Sequence, residues 1–198
     1  CMLSVMVLKS QNNYEQLPYF DGFEKKTGWE LNVGPNGRNA ENRWFVSDME
    51  TFMGDSALCI SGDGGKTISY TNQTVCVVAQ KKIFLPVGKY DLSFVWKCEG
   101  ELNADGFYVC WIPERDSVSL FSVNTSSLLP EWVDRYALDF GKDEAEKYLS
   151  QRTWNSILDT LSVPVDGEKY NLVFVWNNGV LASHSHGAMI DNLNIIEV

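Results

Sequence analysis

Basic side chains, histidine and proline are all in short supply in this chain. Against 26 Asp and Glu stand only 16 Lys and Arg, a formal charge of −10 over 198 residues. Such a surface repels phosphate backbones and anionic head groups, which argues against nucleic acid as a partner. The carboxylate surplus suits hard cations such as Ca2+, which take oxygen ligands. None of the five cysteines (Cys1, Cys59, Cys76, Cys98 and Cys110) forms a CxxC pair, so a zinc knuckle is not expected. Cys98 and Cys110 flank Asn103-Ala104-Asp105. If a hairpin turns there, they face each other as a disulfide in an oxidising compartment or as two buried thiols. No G-x-S-x-G elbow exposes a serine nucleophile. The two histidines, His184 and His186, lie in Ala182-Ser-His-Ser-His-Gly187 with no third ligand. An H-x-H metal site, or a histidine acting on Ser183 or Ser185, is therefore a weak reading beside solvated loop residues. The apolar run Cys1–Leu8 is too short to span a bilayer. It reads as the tail of a signal peptide cleaved near Ser10, as a leading strand, or, less readily, as carrying a lipid-anchored Cys1.

Aromatic residues and strand patterns are what the chain has in quantity. Its 7 Trp, 8 Tyr and 10 Phe concentrate in short runs of β-branched and aromatic residues. The clearest are Arg43–Ser47, Ala57–Ser61, Thr74–Ala79, Lys89–Lys97, Gly106–Ile112, Lys169–Trp176 and Ala188–Ile196. In the fourth, Tyr90, Leu92, Phe94 and Trp96 share one apolar face while Asp91, Ser93 and Lys97 share the other, the pattern of a sheet resting on a core. Lys169–Trp176 repeats that pattern residue for residue from Lys-Tyr to Phe-Val-Trp, apart from Asn171 and Val173. Two strands meeting the same packing demand in a pseudo-symmetric sandwich explain this, with Trp96 and Trp176 in the core. Gly34-Pro-Asn-Gly37, Gly62-Asp-Gly-Gly65, Pro86-Val-Gly88 and Asn177-Asn-Gly179 supply turn chemistry. Asp139–Ile157 reads as a polar loop with a helical turn, leading to a strand near Trp154. The expectation is all-β: one two-sheet antiparallel β-sandwich (jelly roll) over residues 17–198, with residues 1–16 a signal-peptide remnant or a leading strand.

The order of these segments carries a resemblance. Leu17-Pro-Tyr-Phe-Asp-Gly-Phe-Glu24 leads to Gly28-Trp29-Glu30, Asn42-Arg-Trp-Phe45 and Gly54–Gly65. Leu85-Pro-Val-Gly-Lys-Tyr90, Phe94–Gly100, Phe174-Val-Trp176 and Ile190-Asp-Asn-Leu193 follow. The series resembles jelly-roll domains of bacterial cell-surface proteins: cleaved-adhesin domains of secreted proteases, carbohydrate-binding modules and, more distantly, MAM domains. The resemblance implies a secreted or cell-surface location within a larger multidomain protein. It also implies a non-catalytic role in adhesion, with a glycan or a surface protein as partner and no membrane insertion. The alternatives are a structural spacer and, behind it, a glycoside hydrolase.

Many such domains hold a structural Ca2+ where first and last strands meet, and the residues matching that place are Glu24 and Asp191. Asp55 or Asp63, from the Gly54–Gly65 stretch, would add to the set. No D-x-D-x-D-G loop reinforces it, and Asp191 capping a turn or Glu24 binding backbone amides are the plain alternatives. For a ligand surface, loops on a rigid sandwich are favoured, which selects Trp132 and Tyr136 in the long insertion. The plain alternative is that the insertion folds back and Trp132 plugs a sheet edge. Trp111 has the opposite parity to Tyr108, Cys110 and Ile112, which points it out of its strand. Glu99, Glu101 and Asp105, at the tip of a hairpin Lys97–Val109, are the candidate acid pair of a glycosidase, though acidic residues at such a tip are ordinarily just solvated.

Overall fold

Period-two burial sorts the strands into two layers. The computed structural model describes residues 15–24, 28–101, 104–116, 129–138, 151–164, 167–179 and 186–198. In chain order the elements are β1 (Tyr19–Asp21), β2 (Glu30–Leu31), α1 (Gly34–Asn39), β3 (Arg43–Ser47), β4 (Ala57–Ser61) and β5 (Val75–Leu85). They continue with β6 (Gly88–Cys98), β7 (Gly106–Pro113), α2 (Glu131–Tyr136), β8 (Gln151–Val163), β9 (Glu168–Asn178) and β10 (Met189–Glu197). A six-stranded sheet runs β3-β4-β10-β6-β8, with β1 also on β10, and a four-stranded sheet runs β2-β5-β9-β7. Every strand pairing in both is antiparallel. The architecture is the expected two-sheet β-sandwich.

The two matching strands sit in opposite layers. Tyr90, Leu92, Phe94 and Trp96 of β6 meet Tyr170, Leu172, Phe174 and Trp176 of β9 in one buried core. Phe174 is its hub, stacked on Trp29 at 5.1 Å between ring centroids and edge-on to Phe94 at 5.8 Å. Phe107 and Trp44 approach the same ring at 6.2 and 6.4 Å. Asp21 fixes the entry to the fold: the Tyr19 hydroxyl, the Trp29 indole and the Phe23 amide all donate to its carboxylate, at 2.6, 2.9 and 2.8 Å.

Several expectations need correction. No hairpin turns at Ala104: β6 pairs with β8 and β10, whereas β7 pairs with β9, so 99–105 crosses between sheets. Asp105 anchors that crossing, accepting from the Tyr70 hydroxyl (2.5 Å), the Glu101 amide (2.8 Å) and the Gly179 amide (2.9 Å). Cys98 and Cys110 accordingly lie on different sheets, and Cys59, Cys76, Cys98 and Cys110 are all free and buried. The strand near Trp154 is the 13-residue β8, while 139–150 lie outside the described residues, as do Cys1–Leu8, Ser183, His184 and Ser185. The Gly34-Pro-Asn-Gly37 turn is the start of the short helix α1.

Candidate functional site

Two places gather polar side chains that the core does not require. At the first, β1 pairs with β10, Tyr19 opposite Ile195 and Asp21 opposite Leu193, so the first and last described strands are neighbours. Left-handed backbone at Phe23 (φ 59°) turns the chain after β1 and sets out Glu24. A register shift between Asp191 and Asn194, with Asn192 at φ 50°, bends β10 at Asp191, the usual use of a bulge to re-aim a side chain. The two carboxylates grip one loop. Asp191 Oδ2 accepts the amides of Phe52 and Met53 at 2.9 and 3.0 Å, and its Oδ1 accepts Asn192 at 2.7 Å. Both Glu24 oxygens accept the Asp55 amide at 2.9 Å.

Asp191 is 0 % exposed, and burial, with the Glu24 charge adding to it, holds its carboxyl above the usual range despite three amide donors. Neither carboxylate has an ion pair to a cationic side chain among the described residues. Both carboxylates accept backbone amides, Asp191 at its own bend and from the 48–56 loop and Glu24 from that loop, the plain alternatives to a cation; two acids this near would also supply charge to a hard cation. Asp55 contributes its backbone amide to Glu24, and its side chain is exposed. Asp63 is turned away into its own turn, where Ser61 Oγ, the Thr67 amide and Thr67 Oγ1 donate to it at 2.8, 2.9 and 3.0 Å. Those donors hold its carboxyl below the usual range.

The second place is the outer face of the four-stranded sheet. Alternation along β5, β9 and β7 puts Cys76, Val78, Val173, Val175, Cys110 and Ile112 there as a second apolar cluster. α2 covers it. Val133 is buried against these residues, and Leu129, Trp132, Tyr136 and Ala137 pack partly buried around it. The segment is tied down where the Leu138 amide donates to the Val109 carbonyl (2.8 Å) and the Tyr136 hydroxyl to Asp116 Oδ2 (2.7 Å). Trp132 and Tyr136 are thus part of a cover lying on the sheet and along its β7 edge, the fold-back alternative.

Trp111 requires a correction of face. It is 5 % exposed and in the inter-sheet core with Phe107 and Val109, edge-on to Tyr170 at 5.8 Å. Parity did separate it from Tyr108, Cys110 and Ile112, but both faces of β7 are covered, and theirs is the outer one.

On the same outer face lie amides that pattern reading passed over. In register across the sheet, Lys82 lies opposite Asn171 and Asn171 opposite Ile112, one step from the row Gln80–Val173–Cys110. Asn171 is 1 % exposed with neither Oδ1 nor Nδ2 hydrogen-bonded, and Gln80 Oε1, Asn177 Oδ1 and Trp132 Nε1 are also buried without partners. Each such orphan costs about 1–3 kcal/mol. The available signal was a lone amide inside an apolar run: Gln80 after Val75–Ala79, and Asn171 before Leu172–Trp176.

Two residues back along the same face of β9, Lys169 opens onto a cleft of about 260 Å³ lined by Phe84, Pro113, Glu114, Arg115, Gly167, Glu168 and Lys169. Its rim carries the Arg115–Glu168 pair at 2.7 Å and Lys169–Glu114 at 3.9 Å. The Phe84 ring lies against Gly167, where an added Cβ would come within 2.8 Å of it.

The glycosidase candidates do not sit at a hairpin tip. Asp105 is buried in its crossing, and Glu99 pairs with His186 Nδ1 at 3.2 Å and Arg152 Nε at 3.9 Å. Among the described residues no three of His, Cys, Asp and Glu cluster as a metal site, and no helix is long and apolar enough to cross a membrane.

No protein-family model matches the chain, and no curated protein matches it in sequence. Solved structures do match. The tandem CBM22-1–CBM22-2 domain of Paenibacillus barcinonensis Xyn10C is 12 % identical with a TM-score of 0.51, covering 95 % of this chain and 48 % of that one. The Clostridium thermocellum xylanase Xyn10B CBM22-1–GH10 modules, complexed with xylohexaose, are 14 % identical with a TM-score of 0.50, covering 91 % and 28 %. The K1 cleaved adhesin domain of Lys-gingipain from Porphyromonas gingivalis W83 is 12 % identical with a TM-score of 0.49, covering 92 % and 99 %. At such identities the likeness speaks for architecture alone: the chain has the antiparallel β-sandwich fold found in CBM22 modules.

Proposed function

We propose that this chain is a non-catalytic glycan-binding module of a larger extracellular protein, with Ca2+ held structurally at Glu24 and Asp191. The observation that carries the glycan reading is the outer face of the four-stranded sheet, where the cleft at Phe84 and Lys169 adjoins the unpartnered Asn171. A sugar presents a C–H-rich face that packs on a ring and a rim of hydroxyls that both donate and accept. Phe84 offers the ring, the Glu114, Glu168, Arg115 and Lys169 rim offers charged partners, and Asn171 offers one donor and one acceptor. The Xyn10B CBM22-1–GH10 modules, part of which shares this fold, were solved in complex with xylohexaose. Binding to a glycan array in saturating Ca2+, falling ~10-fold or more in Phe84→Ala, is the expected result. A flat array for the wild-type protein removes the glycan reading.

One observation favours a structural spacer instead: α2 closes much of the outer face. That reading expects no glycan binding, and stability that rises when neighbouring domains are attached. A glycoside hydrolase would lose turnover in Glu99→Gln or Glu101→Gln; no turnover of chromogenic glycosides is expected from the native chain.

A further inference from the structure

We propose that α2 is a displaceable cover, and that ligand reaches Asn171 and Gln80 only when it lifts from the outer face of the four-stranded sheet. The identity of the ligand rests on the glycan reading above; the movement does not. Two opposed features meet on this face. Its apolar side packs on Cys76, Val78, Cys110, Ile112, Val173 and Val175, which holds it down. On the same face, next in register to the covered Val173, Cys110 and Ile112, Asn171 is buried with both polar atoms unpaired, and Gln80 Oε1 and Trp132 Nε1 are buried without partners. Lifting α2 would give up these apolar contacts and the Leu138–Val109 and Tyr136–Asp116 hydrogen bonds, and would return the unpaired groups to water or to a polar ligand.

The segment itself is slight. It is a 6-residue helix with no side-chain N-cap and one fully buried residue, Val133. Releasing it leaves both sheets and the inter-sheet core intact, so it belongs to the low-stability end of local openings. The cleft at Phe84 and Lys169 remains open beside it, which gives an oligosaccharide a first foothold before Asn171 is uncovered.

The free cysteines report the movement. Cys76 and Cys110 lie beneath α2, whereas Cys98 is in the inter-sheet core and Cys59 packs with Ile68 and Met189 on the far side of the other sheet. In a Cys1→Ser background, a maleimide at about pH 8, mapped by mass spectrometry, should modify Cys76 and Cys110 at least ~10-fold faster than Cys59 and Cys98. Trp132→Ala should raise the Cys76 and Cys110 rates further and tighten binding of an array-positive oligosaccharide, because less of the affinity is lost to opening. Equal rates at all four thiols overturn the proposal whatever the array shows. Weaker glycan binding in Trp132→Ala with thiol rates unchanged also overturns it, making Trp132 a ligand contact. Fast labelling of Cys76 and Cys110 with a flat array keeps the movable cover and removes the glycan reading.

Discussion

Asp105 and Asp191 show how one carboxylate can be read two ways until its neighbours are known. Asp105 is a three-donor anchor for the crossing between sheets, so Asp105→Ala removes the carboxylate to which the Tyr70 hydroxyl and two amides donate. A loss of about 2–4 kcal/mol in urea unfolding is expected; an unchanged midpoint would contradict the anchoring role. Asp191 differs, because its carboxyl is held above the ordinary value by burial first and by Glu24 as well. A raised folded value means this group's contribution is present below the unfolded value and lost as pH rises through the folded one. Bound Ca2+ reverses that, since it requires the charged form. Melting curves should therefore show a Ca2+-dependent gain over EGTA near pH 7, about 2.7 kcal/mol at a hundredfold excess over Kd. The gain should shrink as pH falls into the raised range of Asp191. Identical midpoints in Ca2+ and EGTA at pH 7 would remove the ion.

At the scale of elements, the 48–56 loop depends for its shape on strands far from it in the sequence. Asp191 from β10 and Glu24 after β1 hold its amides, while Lys97 of β6 pairs with Glu50 and Phe52 meets Trp154 of β8 edge-on at 5.9 Å. Gly54 sits in left-handed backbone at φ 73°, and a Cβ there would collide with the Glu24 carboxylate. Gly64 has similar backbone, φ 84°, with nothing within 4 Å of the added atom. Gly64→Ala should cost only the backbone strain, about 1–2 kcal/mol. Gly54→Ala should cost more and abolish the Ca2+-dependent gain; equal losses with the gain intact in both would disprove the coupling of this loop to Glu24.

For the whole molecule, the two sheets are held by ring contacts that converge on Phe174, which touches aromatics from both layers. Phe174→Ala should cost about 3–5 kcal/mol in a single cooperative unfolding transition, followed by denaturant. Separate transitions for the two sheets would refute a shared core.

The seven strand segments and the parity of β6 and β9 were legible in the sequence, since alternation follows from pleat geometry. Short β1 and β2 were not, because strands of three and two residues are too brief to show a period. The outward assignment of Trp111 failed for a related reason. Alternation says that Trp111 and Cys110 face opposite ways, but which face meets the second sheet and which meets α2 depends on chain segments far away. The same holds for Asn171: its amide is visible in the sequence, whereas its burial without a partner is a property of the packed layers. The sequence by itself determined a two-layer β fold, because side-chain alternation is local physics. Only the tertiary structure decided that the outer face carries a cover, that Asp105 is an anchor and that Asp191 and Glu24 hold the same loop, because burial and contact arise between residues the chain brings together from afar.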